Sequence, residues 1–442
     1  MEPDDVSTRQ QRIAELARIH PEVSFTSLAH HIDLRWLQEA HRRTRKDGAT
    51  GVDNQTAQDY EKNLEENLRS LLERAKSGNY VAPPVRRTYI PKGTSRTEMR
   101  PIGVPTFEDK VLQRAVVMVL EPLYEQEFLN CSYGFRPGRS AHGASDALWK
   151  QTMDIGGGWI IDLDVRKFFD TLSHKHLREI LKRRVSDGVL LRLIGKWLNA
   201  GVWEKGAVSY PEQGSPQGGV VSPMLSNVYL HEVLDEWFEE AVKPRLKGKA
   251  FVVRYADDAV LGFEYEEDAR RVMEVLPKRF ARYGLTIHPE KTRVVRFQRP
   301  DRGNLEDHER PKRETFNFLG FTHSWKRSRK GTWVMARTTE RGRFARALKK
   351  VSDWCRRYRH APIEEQQAQL QRKLTGHYSY YGITGNYNML ANFRLQVIRV
   401  WKKWLSRRSN NGWVSWEKLR LLLERFPLAR ARVVHSIYLA NL

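Results

Sequence analysis

Cysteine is nearly absent. Cys131 and Cys355 are the only two in 442 residues, and neither has a CxxC neighbour. A disulfide framework and a thiolate-bound metal are thereby excluded, and both are read as reduced thiols. Long apolar runs are missing as well. Ala115 to Leu120 is typical of the longest, against the ~20 residues that a bilayer-crossing helix requires. The chain opens Met-Glu-Pro-Asp-Asp, without the basic segment and apolar core of a signal peptide. A soluble cytoplasmic protein with no membrane partner is expected. Neither internal repeats nor low-complexity tracts occur.

Acidic residues are scarce in one region. From residue 311 to the end there are 28 Lys and Arg against 7 Asp and Glu, whereas the preceding residues hold 48 against 46. Nearly all of the formal charge of +23 therefore lies in the last third. A solvated basic face does not leave a third of a chain so lopsided, and nucleic acid is the expected partner. Hydrophobic residues make up 40%, enough for real cores, and the length has room for two or three domains.

Chemistry is concentrated in two stretches. In Phe251-Val252-Val253-Arg254-Tyr255-Ala256-Asp257-Asp258-Ala259-Val260-Leu261-Gly262-Phe263, β-branched and aromatic residues flank a tight Tyr-Ala-Asp-Asp turn. The pattern predicts a β-hairpin with two carboxylates at its tip. Alone it is either an exposed acidic tip or a site for a hard divalent cation, which prefers oxygen ligands. The second stretch runs from Trp159 to Asp170. Trp159, Ile161, Leu163 and Val165 alternate there with Ile160, Asp162 and Asp164, a half-buried strand. Asp164 falls near its end. Asp164, Asp257 and Asp258 together could hold two Mg²⁺ ions for an in-line phosphoryl displacement. Asp162 is read as structural, and Asp170 as the cap of a helix beginning near Thr171.

Other motifs fall in a fixed order around these. Arg100-Pro101-Ile102-Gly103-Val104-Pro105 comes first, then Tyr133-Gly134-Phe135-Arg136-Pro137-Gly138-Arg139-Ser140. After Asp164-Val165-Arg166-Lys167-Phe168-Phe169-Asp170 come Gly214-Ser215-Pro216-Gln217-Gly218-Gly219 and Val220-Val221-Ser222-Pro223. Tyr255-Ala256-Asp257-Asp258 and Phe318-Leu319-Gly320-Phe321 follow. This series resembles that of bacterial group II intron-encoded proteins, the maturase-reverse transcriptases. The resemblance extends from about Leu34 to the C-terminus.

The resemblance implies an α+β right-hand polymerase, with fingers, a palm on a small antiparallel sheet, and an α-helical thumb called domain X. The expected division is an N-terminal extension and start of the fingers in 1–84, fingers and palm in 85–322, and a basic helical thumb in 323–442. Phe316 to Thr322 resembles the strand that closes the palm. The implied activity is RNA-directed DNA synthesis with two Mg²⁺ ions, on an RNA template and DNA primer with deoxynucleoside triphosphates. Binding of a group II intron RNA, with assistance to its splicing and retrohoming, is implied with it.

Site residues follow in the same way. Asp164, Asp257 and Asp258 would be catalytic and metal-binding, with the main-chain carbonyl of Val165 a further ligand. Lys92 and Arg100 would grip the triphosphate, although template phosphates are an alternative for both. Phe169 would stand beside the sugar and exclude a 2′-hydroxyl by clash. The loop bearing Arg136 and Arg139 suits a template backbone. The Gly214–Gly219 turn would let a base pair pack against main chain at Gly218, with Gln217 at the nascent pair. Cysteine pairs of an HNH nuclease are missing, so DNA cleavage by this chain is not expected. The rival readings are a host role in defence or repair, and a splicing cofactor whose polymerase site is idle.

Overall fold

The computed structural model describes residues 5–91, 99–210, 213–214, 218–300, 314–328, 330–409 and 412–436. Among the described residues eleven strands run in chain order as β1 (Val85–Pro91), β2 (Met99–Val104), β3 (Trp159–Leu163), β4 (Val202–Glu204), β5 (Ala207–Ser209) and β6 (Ala250–Tyr255). They continue as β7 (Asp258–Phe263), β8 (Arg293–Arg296), β9 (Phe316–Phe318), β10 (Phe321–Arg327) and β11 (Trp333–Thr339). With the helices around them they form a mixed α+β architecture.

The chain divides into two compact units, each discontinuous in sequence. One comprises residues 1–144 and 161–294, the other 145–160 and 295–442. The expected cut after residue 322 falls inside β10.

The first unit is built on the helix Phe107–Tyr124. Its apolar residues recur at three-and-four spacing, and Val111, Leu112, Ala115, Val119 and Leu120 are fully buried. Thr106 caps its start by accepting from the Asp109 amide at 3.3 Å. Asp109 is buried and accepts from Tyr80 Oη and Trp197 Nε1, each at 2.6 Å, which fastens the helix to one segment before it and one after it. A four-stranded sheet in the order β2-β1-β4-β5 lies in this unit. β1 and β2 form an antiparallel hairpin, with Arg86 opposite Val104 and Pro91 opposite Met99.

A second sheet has the order β6-β7-β3-β8. β6 and β7 are consecutive and antiparallel, with Tyr255 opposite Asp258. From Ala250 to Arg254 every residue of β6 is buried, as is every residue of β7 after Asp258. A strand buried on both faces reads as a continuous apolar run, which explains the flanks of the Tyr-Ala-Asp-Asp turn.

The stretch Leu177 to Trp197 is two helices, His174–Lys182 and Gly188–Leu198, because Asp187 accepts from the Val189 and Leu190 amides and starts a new one. After the α-helix Ser222–Leu230 the chain continues as a π-helix, His231–Val242. Such segments are rare and gather near functional sites.

In the second unit, β11-β10-β9 form a three-stranded antiparallel sheet. Phe316 to Thr322 is therefore two strands around a Leu319-Gly320 turn, in a sheet separate from that of β3, and does not close the latter. Both turn residues have positive φ, +50° at Leu319 and +78° at Gly320. Residues 145–160 are tied to this sheet's strands: Trp149 Nε1 donates to Met335 O at 2.9 Å, and Arg337 to Ser145 Oγ at 3.0 Å. Gly157 (φ +100°) lies so close to Phe297 that a Cβ would stand 2.2 Å from its carbonyl oxygen. The helices Arg341–Arg357, Ile363–Tyr381 and Tyr387–Leu405 share one core, with Leu370, Leu374, Leu390, Val397 and Trp401 fully buried. Tyr378 and Tyr381 belong to that core, and His377 stacks on Phe393 at 3.8 Å.

Candidate active site

The carboxylates meet in one cavity of the first unit. It has a volume of about 340 Å³ and is lined by Asp164, Val165, Phe169, Asp257 and Asp258, with Arg100 and Lys291 also in its wall. The sequence alternation of β3 explains Asp164: Leu163 is buried, and Asp164 follows immediately at the strand's open end. Its main chain is held by the His288 amide, which donates to Asp164 O at 2.8 Å, and by Arg166 N on Thr286 O at 2.8 Å. Those two bonds bracket an antiparallel bridge between Val165 and Ile287. In such a pair the intervening residue turns its own N–H and C=O away from the partner strand. The Val165 carbonyl is therefore directed off the Ile287 segment.

The hairpin presents its two acids differently. Asp257 is the second residue of a two-residue turn, and Asp258 is the exposed first residue of β7. Ala256 precedes them at φ +57°, in the left-handed region that suits glycine. Burial raises the Asp257 carboxyl above the usual carboxylate range, and the charge of Asp164 adds to this, while Arg100 and Arg254 oppose it. The two carboxylates thus already feel each other. Asp162, half-buried on β3, is pushed up to about 6, mainly by burial.

Among the described residues no three His, Cys, Asp or Glu side chains converge closely enough to cage a metal ion alone. The donor set nevertheless suits Mg²⁺, which is usually held by one or two carboxylates, waters and substrate phosphates rather than by an all-protein cage. A cation already occupies one of these acids: Lys291 Nζ lies 3.1 Å from Asp164 Oδ2. Sequence reading missed Lys291, which lies 127 positions from its partner and carries no local signal.

The remaining candidates fall out as follows. Phe169 is half-buried in the cavity wall, edge-on to the buried Phe168 with ring centroids 5.3 Å apart. Arg100 is exposed on β2 and lines the same cavity. Lys92 and Gln217 lie outside the described residues. Gly218 (φ +119°) packs against the chain's own backbone, where a Cβ would stand 2.5 Å from Gly103 O.

Two expectations are corrected. Arg136 does not face a template: it is buried, and its donors go to Glu125 at 2.9 Å and to the carbonyls of Leu129, Ser132 and Phe128. A guanidinium with its donors committed inward has none left for a phosphate. Arg139, by contrast, is only half-buried, bonded to Asn130 Oδ1 at 2.7 Å and set over the Tyr133 ring. Asp170 caps no helix. It lies within the short helix Phe168–Thr171, and Ser173 caps the next one by accepting from His176 N at 3.4 Å.

Residues 90–323 match the family model described as reverse transcriptase (RNA-dependent DNA polymerase), a span that contains every residue of the acidic cavity. The chain belongs to the reverse transcriptase family. The reaction of that family is RNA-directed DNA synthesis, which takes a nucleic-acid template and primer with deoxynucleoside triphosphates and generally uses a divalent metal. Among its relatives is protein YkfC of Escherichia coli, 35% identical over 288 residues, 58% of this chain and 75% of YkfC. The group II intron-encoded protein LtrA of Lactococcus lactis is 30% identical over 304 residues, 65% of this chain and half of LtrA. Nuclear intron maturase 2 of Arabidopsis thaliana is 29% identical over 177 residues, 31% of this chain and 24% of its own length. No helix among the described residues is long and apolar enough to cross a membrane.

Proposed function

We propose that this reverse transcriptase performs its chemistry in the acidic cavity and serves a group II-type intron as a maturase. The observation that carries the first half is the meeting of Asp164, Asp257 and Asp258, at the ends of strands neighbouring in one sheet, in a cavity that Arg100 also lines. In this reading the β6-β7-β3-β8 sheet is the palm, the β1-β2 hairpin belongs to the fingers, and the basic helices after residue 340 form the thumb.

Each residue has a definable task. Asp164, Asp257 and Asp258 offer carboxylate oxygens and Val165 a carbonyl, on elements whose buried flanks keep them in place. A pair of Mg²⁺ ions held there would neutralise the triphosphate and polarise the primer 3′-hydroxyl. Arg100 supplies fixed positive charge to the triphosphate, and Lys92 is assigned the same task. Phe169 bounds the sugar and rejects a 2′-hydroxyl by clash. Gln217 and Gly218 border the nascent pair, and Arg139 the template backbone.

Support for the intron role comes from the likeness to LtrA and from the charge of the last third, 28 basic residues against 7 acidic. Many exposed arginines on the helix Arg341–Arg357 suit a phosphate backbone.

The deciding experiment is primer extension on an RNA template with Mg²⁺ and deoxynucleotides, wild type beside Asp257→Ala and Asp258→Ala. Extension by the wild type alone, with RNA binding kept in all three, is expected. Extension by either variant would remove the site assignment. Splicing of a group II intron stimulated equally by wild type and Asp257→Ala is expected for the second role, and no stimulation by either would end it.

A further inference from the structure

Arg254 lies beneath the acidic turn with no exposed surface. All five of its N–H groups are used. Nε and Nη2 grip Asp235 at 2.8 and 2.6 Å, and Nη2 also donates to Ser132 Oγ at 2.8 Å. Nη1 donates to Asn227 Oδ1 and to the carbonyl of Ala256, each at 3.0 Å. The last bond reaches forward two residues into the turn that carries Asp257. The π-helix His231–Val242 contributes Asp235, which is fully buried.

The turn needs such a fastening. Ala256 sits at φ +57°, a region unfavourable to any residue with a Cβ, and such strain persists only when surroundings over-determine it. Two further constraints surround it. Gly134 approaches so closely that a Cβ would stand 2.3 Å from Ala256 N, and Asn227 Nδ2 holds the Gly134 carbonyl at 2.7 Å. Arg254 N and O also pair with Cys131 O and Tyr133 N, at 2.8 and 2.9 Å.

We infer that Arg254, held by Asp235, is a positioning residue: it fixes the Ala256 carbonyl and thereby places Asp257 to receive a divalent cation. This rests on the reading of Asp257 as a cation ligand. A buried ion pair that only stabilised the fold would need no bond into the turn, and Lys in its place would keep one charge contact but not the fork.

The test is Mn²⁺ binding by the full chain without nucleotide, read from the electron paramagnetic resonance of the free ion, alongside thermal melting. Arg254→Lys should bind Mn²⁺ about tenfold more weakly, the low end for partners that orient a ligand. Gly134→Ala, which crowds the same turn from outside, should weaken it likewise. Ser132→Ala removes a bond of the same guanidinium remote from the turn, and should stay within about twofold of wild type. Amide exchange at Asp257 and Asp258 should quicken in the first two variants only. Wild-type Mn²⁺ affinity in a folded Arg254→Lys chain overturns the inference. If that variant does not fold, Gly134→Ala decides in the same two directions. Wild-type Mn²⁺ binding by Asp257→Ala would instead bring down the site reading, and this inference with it.

Discussion

Lys291 Nζ stands 3.1 Å from Asp164 Oδ2, so an ammonium already neutralises a carboxylate proposed to bind metal. The pair is half-exposed, with side chains 51% and 37% accessible, so solvent screening leaves it little weight in stability. Lys291→Gln should therefore shift unfolding free energy by no more than about 0.5 kcal/mol. It should tighten Mn²⁺ binding at low ionic strength, and the gain should vanish in ~1 M salt, where charges are screened within a few ångströms. Calorimetric titration at the two salt levels checks both statements.

Phe169 lines the cavity edge-on to Phe168. Truncation to Ala opens the space proposed to reject a 2′-hydroxyl. Ribonucleotide incorporation relative to deoxynucleotide should rise on the order of 10- to 100-fold, the range reached by steric pockets. Single-nucleotide extension with paired dNTP and rNTP substrates measures the ratio. An unchanged ratio removes the gate.

Asp162 gives a pH prediction with a definite sign. Burial first, and Asp164 nearby, push its carboxyl up to about 6, against about 3.9 in an unfolded chain. Below about 4 both states are protonated and burial costs nothing extra. Above about 6 the native state must carry a buried charge, so this group's effect on stability worsens as pH rises through that window. Asp162→Asn should melt higher than wild type at pH 8, by on the order of 1–3 kcal/mol, and equal it at pH 4. Melting curves across that range decide it.

Binding to RNA should be steeply salt-dependent. A protein neutralising several phosphates loses on the order of a thousandfold in affinity between about 50 and 200 mM salt. Filter binding should give that slope. A flat response would contradict a basic thumb working by charge.

The hairpin of Asp257 and Asp258 was legible because its flanks are β-branched and aromatic on both sides, a signature of a strand with no solvent face. Asp164 was legible from alternation in β3. The helix Phe107–Tyr124 carries its own signal too, since its apolar residues recur at three-and-four spacing. What local pattern could not carry were partners far along the chain. Arg136 looked like a loop arginine for phosphate, and nothing nearby tells that Glu125 and three carbonyls consume it. Arg254 stands in an apolar strand, a conflict that could have marked it as paired, but only the fold supplies Asp235. Asp170 reads as a cap because it stands just before Thr171, but it is Ser173, three residues on, whose side chain accepts from the His176 amide. Phe316 to Thr322 read as one strand because the left-handed Leu319 hides the turn.

Residues 145–160 join a unit whose other members begin at residue 295. During synthesis this segment emerges more than a hundred residues before the strands that Trp149 and Gly157 touch. At roughly 5–20 residues per second it waits on the order of ten seconds for them. Over that interval Trp149 has no native partner from the later segment, which exposes the nascent chain to premature association. No cut of the gene into two contiguous halves yields both units whole, so a fragment beginning at residue 295 should aggregate unless 145–160 is supplied beside it.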